Sequence, residues 1–292
     1  VEHNLEDIYN SVLESISSVI KQAQQKDTYF TTNKIISIGI TNQRETLCSF
    51  YKQNATPAYH AIVWQCRRSS NICDKLKTQT LEPLIRKKTG LLLDPYFSGT
   101  KILWIMTSLK ELAKKIRKNE IFLSTIDSYL IYKLTDKISF VTDYTNASRT
   151  LLFNIKTLSY DEDLLDIMQV PTINILPQIT DSAGILGYTK GVGILPDGIP
   201  ISSCLGDQQA ALIGQCCINR GDTKCTLGTG AFVLVNTGNK LIHSKNNLIS
   251  TIAWGFKREI CYAIEGSSFI AGAAIQFLRD NLKFFDTSAK SE

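Results

Sequence analysis

The chain opens on an amphipathic pattern. Leu5, Ile8, Tyr9, Val12, Leu13, Ile16 and Ile20 recur at three- and four-residue intervals between polar positions, which puts the apolar side chains on one face of an α-helix. The period then changes. Residues 34–41 (KIISIGIT), 46–51 and 61–64 are short runs rich in β-branched and aromatic residues, and they predict strands closely spaced around loops. Helical spacing returns at 67–77, 98–118 and 126–134. A further helix is predicted at Asp161, Glu162 and Asp163, where the carboxylates suit capping and the positive end of the helix dipole better than paired-carboxylate catalysis.

From Gly184 the pattern breaks into short strand-like pieces with glycine and proline between them, then a strand at 199–205 and a helix at 207–216. A boundary is placed at 214–221. Beyond it, 222–227, 232–236, 249–254 and 261–265 predict a meander of strands, followed by a helix over 267–282. Two successive sets of strands, each closed by helices, predict an α/β protein of two lobes, residues 1–213 and 221–292.

Composition narrows the function classes. With 292 residues, 43% hydrophobic and 20% charged, the chain can bury a large core, and disorder is not expected. The net charge of +5 comes from 32 basic and 27 acidic residues that are scattered along the chain. The densest basic stretch, 110–118 (KELAKKIRK), alternates with apolar residues as a solvated helix face does, so no nucleic-acid partner is expected. No run reaches membrane-spanning length and no signal peptide is visible, so neither membrane insertion nor secretion is expected, and the location is read as cytoplasmic. The eight cysteines (48, 66, 73, 204, 216, 217, 225 and 261) form no CxxC pair, and the histidines at 3, 60 and 243 lie far apart. Reduced, buried thiols and no protein metal cage are expected. Sequons at Asn54 and Asn146 read as chance matches.

Three stretches carry candidate chemistry. There is no GxxxxGK[ST], and 191–196 (GVGILP) has proline where the dinucleotide fingerprint needs its last glycine. Gly228-Thr229-Gly230, between two strand-like runs, is the candidate phosphate contact, because glycine lets backbone approach an anion and Thr229 adds a hydroxyl; a plain hairpin turn needs the same glycines. Gly206-Asp207-Gln208-Gln209 follows a strand and opens a helix. Asp207 fits either an N-cap or a base at the C-terminal end of a strand, taking the proton from a hydroxyl that attacks phosphorus. Residues 41–46 (TNQRET) place Arg44 beside Glu45 in a loop after a strand, suited either to a polyhydroxylated ligand or to a surface ion pair. Trp64, Tyr96 and Phe232 individually fit core positions. Tyr96 has a polar surrounding that suits a cleft wall, with Trp104 packed inside.

Taken together, GITNQRET, AIVWQCRR, DPYFSGTKILW, VTDYTNASRTLLFNI, GDQQAAL and LGTGAF follow one another as they do in the glycerol kinases, and the chain resembles that family over nearly its whole length. The pattern aromatic-x-Ser-x-x-Lys-apolar-x-Trp at 96–104 resembles a signature of the wider carbohydrate kinases. The resemblance implies an actin-like, ribonuclease-H-like α/β fold that phosphorylates glycerol with ATP and Mg2+. It implies that Arg44, Glu45, Tyr96, Asp207 and Gln208 hydrogen-bond the hydroxyls, that Trp64 and Phe232 pack on the carbon skeleton, and that Asp207 is the general base. Gly228, Thr229 and Gly230 would lie beside the ATP phosphates, and a homo-oligomer, dimer or tetramer, is expected. Measured against that family, the chain starts after a first phosphate-loop hairpin and stops before glycine-rich adenosine turns, so weak ATP binding by this polypeptide alone is expected. Gly198 stands where some bacterial members carry an arginine for a sugar-bisphosphate inhibitor, and no histidine occupies that loop, so neither control is expected.

Overall fold

The computed structural model describes residues 1–257, 259–268 and 270–291. The first helix, Leu5–Lys26, starts where the Asn4 side chain accepts a hydrogen bond from Glu6 N, with Glu6 and Asp7 in its first turn. Its apolar stripe seats Leu5, Ile8, Tyr9 and Val12 against a core containing Phe50, Tyr129 and Ile131. The predicted positions Leu13, Ile16 and Ile20 are half-buried.

Strand Ile38–Asn42 runs parallel to Pro200–Gly206, with Asn42 opposite Gly206. This pairing positions the site. Because the two strands point the same way and end in register, the loop containing Arg44 and Glu45 and the helix Asp207–Gly214 leave the sheet side by side. Parallel α/β sheets place their ligand crevices at that edge. Behind the edge lies a buried polar knot. Asp143 caps the short helix Tyr144–Ala147 by accepting from Thr145 N and Asn146 N, and it also accepts from Ser182 Oγ. Thr145 Oγ1 accepts from Gly206 N at 2.8 Å, and Asn42 Nδ2 donates to Asn146 Oδ1 at 2.9 Å. Asn146 is wholly buried, so that sequon is not presented to solvent.

Several elements differ from the sequence pattern. Strand 34–41 is shortened to Ile38–Asn42 after a 3-10 turn at Thr32–Lys34, and the short strand near 61–64 is Pro57–Ile62. Helix 67–77 is Ser70–Thr78, and Glu82–Thr89 is an additional helix. The predicted helix 98–118 is two helices, Ser98–Ser108 and Lys110–Arg117, broken at Leu109 with φ −112° and ψ 76°. The first is buried on almost every side, whereas the second buries only Ala113 and Ile116, and one straight rod cannot meet both environments. Helix Ile126–Leu134 has its predicted bounds, and Asp161 caps Glu162–Ile167.

After helix Asp207–Gly214 the chain enters a second antiparallel sheet. Its strand order is Thr223–Leu227, Ala231–Gly238, Glu259–Ser268, Ile249–Phe256. The expected meander is therefore corrected: the fourth strand inserts between the second and third. That strand continues to Ser268, so the predicted helix 267–282 is limited to Gly272–Asp280; Phe269, within the predicted span, lies outside the described residues. All eight cysteines are free thiols, six buried as expected, with Cys216 and Cys225 exposed.

Candidate active site

Gln43, Arg44, Glu45, Trp64, Tyr96, Asp207, Gln208 and Phe232 line one cavity of about 60 Å³. All seven residues proposed from sequence as ligand contacts converge there, from five separate segments. Trp64 meets Tyr96 edge-on with centroids 5.7 Å apart and Phe232 at 6.3 Å. Phe232 belongs to the sheet that follows helix Asp207–Gly214, so the apolar wall joins residues from widely separated segments.

Arg44 and Glu45 are not a surface pair. Arg44 is 2% exposed and Glu45 1%, and both join a closed network of two guanidiniums and two carboxylates. Arg44 donates through Nη1 to Glu265 Oε2 at 2.6 Å and through Nη2 to Glu265 Oε1 at 2.9 Å, a bidentate fork. Arg149 donates through Nε to Glu45 Oε1 at 2.5 Å and through Nη2 to Glu265 Oε1 at 3.0 Å. Arg44 Nη1 also reaches Gln209 Oε1, and Nη2 the Tyr96 hydroxyl. Burial alone would raise the Glu265 carboxyl, but Arg149 and then Arg44 outweigh it and hold it down at about 2. Burial would depress the Arg44 guanidinium, and Glu265 and Glu45 keep it raised instead. Burial and the Glu45 charge raise the Tyr96 phenol.

Asp207 stands apart in this set, its side chain 45% exposed, with Oδ1 3.5 Å from Arg44 Nε. That Nε lacks a hydrogen-bond acceptor among the described residues. The N-cap position belongs to Gly206, and Asp207 is the first helical residue, its Oδ1 accepting from Gln208 N at 2.8 Å. The N-cap alternative for Asp207 is thereby removed, and its carboxylate sits at the positive end of the helix. Gly206 itself must be small, because a Cβ there would lie 2.7 Å from both Arg44 Cγ and Cδ. Gly206→Ala is expected to displace Arg44 and weaken ligand binding by about tenfold, with a stability loss of roughly 1–3 kcal/mol; calorimetric titration and thermal melts read the two effects.

Gly228-Thr229-Gly230 is the tip of the hairpin joining Thr223–Leu227 to Ala231–Gly238. The start of helix Gly272–Asp280 braces it: Ala271 N and Ala273 N donate to Thr229 O, and Gly272 N to Gly228 O. The approach is so close that a Cβ on Gly272 would lie 2.5 Å from Gly228 O. Gly228 and Thr229 are exposed. The hairpin is tied to the cavity by Lys224, which donates to Thr226 Oγ1 at 2.7 Å and to Gln208 Oε1.

Sequence reasoning missed Arg149, Glu265 and Lys224. Glu265 had a usable signal, since it continues the buried phase Cys261, Ala263, Glu265 of its strand. Arg149 follows the buried stretch Thr145 to Ser148 with no periodicity to single it out.

A guanidinium and a carboxylate at the C-terminal ends of two parallel strands, beside a small aromatic-walled cavity, define an α/β protein with a polar pocket at the end of its sheet. The sequence comparisons give its family. The FGGY family of carbohydrate kinases, N-terminal domain, matches residues 1–214. The chain is 48% identical over 292 residues to the glycerol kinases of Geobacillus kaustophilus and Thermus thermophilus, covering 100% of this chain and 58% of each of them. The crystal structure of Plasmodium falciparum glycerol kinase with ADP superposes with a TM-score of 0.92 at 36% identity, over 99% of this chain and 57% of that one. The chain belongs to the FGGY family of carbohydrate kinases. It spans a little under three-fifths of the length of the curated relatives it matches.

Proposed function

We propose that this protein, with whatever flanking sequence its gene supplies, phosphorylates glycerol with ATP. The observation that carries this is the convergence of Arg44, Glu45, Trp64, Tyr96, Asp207, Gln208 and Phe232 on one small cavity, in a chain nearly half identical throughout to glycerol kinases. Buried donors and acceptors fixed in place suit a ligand with several hydroxyls and penalise one that lacks them. The aromatic rings cover its carbon skeleton. Asp207 takes the proton from one hydroxyl as that oxygen bonds to the γ-phosphorus, and the bond to the ADP oxygen breaks.

The Gly228-Thr229-Gly230 tip, with Gly228 and Thr229 exposed and glycine on both sides of a hydroxyl, fits a phosphate contact. On this basis residues 1–213 form the substrate lobe and 221–292 open the nucleotide lobe. Magnesium, when bound with the nucleotide, would neutralise charge on the transferred group. Among the described residues no three His, Cys, Asp or Glu are grouped to hold a metal. No helix among the described residues is long and apolar enough to cross a membrane; eight free thiols support a reducing, cytoplasmic setting, and the homo-oligomer expected from the family is open to light scattering.

ADP release with glycerol, xylulose, gluconate and erythritol tests the assignment in the full gene product. Glycerol is expected to give the highest kcat/KM. A faster polyol or sugar, or glycerol binding with no ADP release, overturns it.

A further inference from the structure

Glu45 has φ +60°, a left-handed conformation uncommon outside glycine and costing on the order of 1–3 kcal/mol. The surrounding structure must therefore enforce it. The Glu45 carbonyl accepts from Lys101 Nζ at 2.9 Å and from Ser98 Oγ at 3.1 Å. Lys101 Nζ also donates to the Tyr96 carbonyl at 2.5 Å. Lys101 is wholly buried, and its acceptors are two backbone carbonyls rather than a carboxylate, so burial pushes its amine down to about 7. A buried amine in such a place is expensive where an apolar chain of the same length would pack.

Both carbonyls belong to residues whose side chains line the ligand cavity. One amine therefore clamps the loop bearing Arg44 and Glu45 to the turn bearing Tyr96. We propose that Lys101 is a positioning residue for polyol binding, fixing the left-handed Glu45 peptide against the Tyr96 peptide so that the Glu45 carboxylate and the Arg44 guanidinium converge on the ligand hydroxyls. This rests on the cavity taking a polyol, as argued above, but not on phosphoryl transfer.

A double-mutant cycle tests it, using Lys101→Met, which removes the amine and keeps the chain length, Glu45→Gln, and the two combined. Equilibrium binding of glycerol, xylulose, gluconate and erythritol is measured by calorimetry without ATP, on the full gene product, and the cycle is run on the tightest-bound of them. Each single variant is expected to weaken that binding by about 10–100-fold, the range seen when a group supporting a binding residue is lost. The double variant is expected to be no weaker than the worse single, because Lys101 acts through Glu45. In turnover, KM for the polyol rises while KM for ATP is unchanged. Additive losses, or a Lys101→Met variant that loses thermal stability but keeps its affinity, overturn the proposal. If Lys101→Met does not fold, Ser98→Ala removes the other donor to the same carbonyl, and the same non-additivity with Glu45→Gln is required. A wild type that binds a polyol but does not phosphorylate it refutes the proposed function and leaves this cycle decisive; a wild type that binds none of the four refutes both.

Discussion

Asp207→Asn is expected to lower kcat for glycerol phosphorylation by roughly 10²- to 10⁴-fold, the contribution of a positioned general base, while glycerol affinity changes by less than about tenfold. The asparagine keeps the side-chain oxygen that accepts from Gln208 N, so the start of the helix survives. It loses the charge opposite Arg44 Nε and the ability to take a proton. Arg44 remains held by Glu265 and Gln209, so the cavity keeps its shape. Steady-state kinetics with calorimetric glycerol binding separates the two effects. A variant that binds glycerol poorly but turns over normally at saturation would show that Asp207 only binds.

The second large effect is expected at Glu265. It is the carboxylate on the second sheet that Arg44 and Arg149 both grip, and its removal leaves two buried guanidiniums facing each other with Glu45 alone between them. Glu265→Gln keeps the volume and is expected to cost roughly 3–5 kcal/mol at neutral pH, the usual consequence of stripping one partner from a buried ion network. The pH dependence carries a distinct signature. The native carboxyl sits at about 2, whereas an unfolded glutamate titrates near 4.3. The stabilisation from this pair is therefore complete above about pH 5 and is lost as pH falls toward about 2. Denaturant melts of the glutamine variant should lose less stability than the wild type across that acid window. Equal losses in both proteins would show that the carboxylate is not ion-paired in solution.

How much of this was legible in the sequence depends on where each residue lies. Arg44, Glu45, Asp207 and Gln208 follow strands whose hydrophobic runs are plain, and polar residues crowded after such a run announce themselves. Glu265 sits within a strand, where a charge ordinarily signals the solvent face, and only its phase with Cys261 and Ala263 gives it away. Lys101 lies in a helix buried on nearly all sides, so helical periodicity does not mark it, and only the pattern aromatic-x-Ser-x-x-Lys-apolar-x-Trp at 96–104 singles it out. The break at Leu109 leaves no trace because the apolar spacing continues through it. The insertion of Glu259–Ser268 between two earlier strands is a matter of long-range pairing, and alternation within a strand records which face is buried but not which neighbour it meets.

The cavity drawn from residues 43 to 232 has a consequence for inheritance of specificity. The proposed ligand contacts come from five segments, so exchanging one segment with a relative is expected to leave most of the cavity lining unchanged. Among the described residues Phe232 is the one lining residue beyond Gly221, so residues 1–221 taken alone would lack that ring of the proposed contact set.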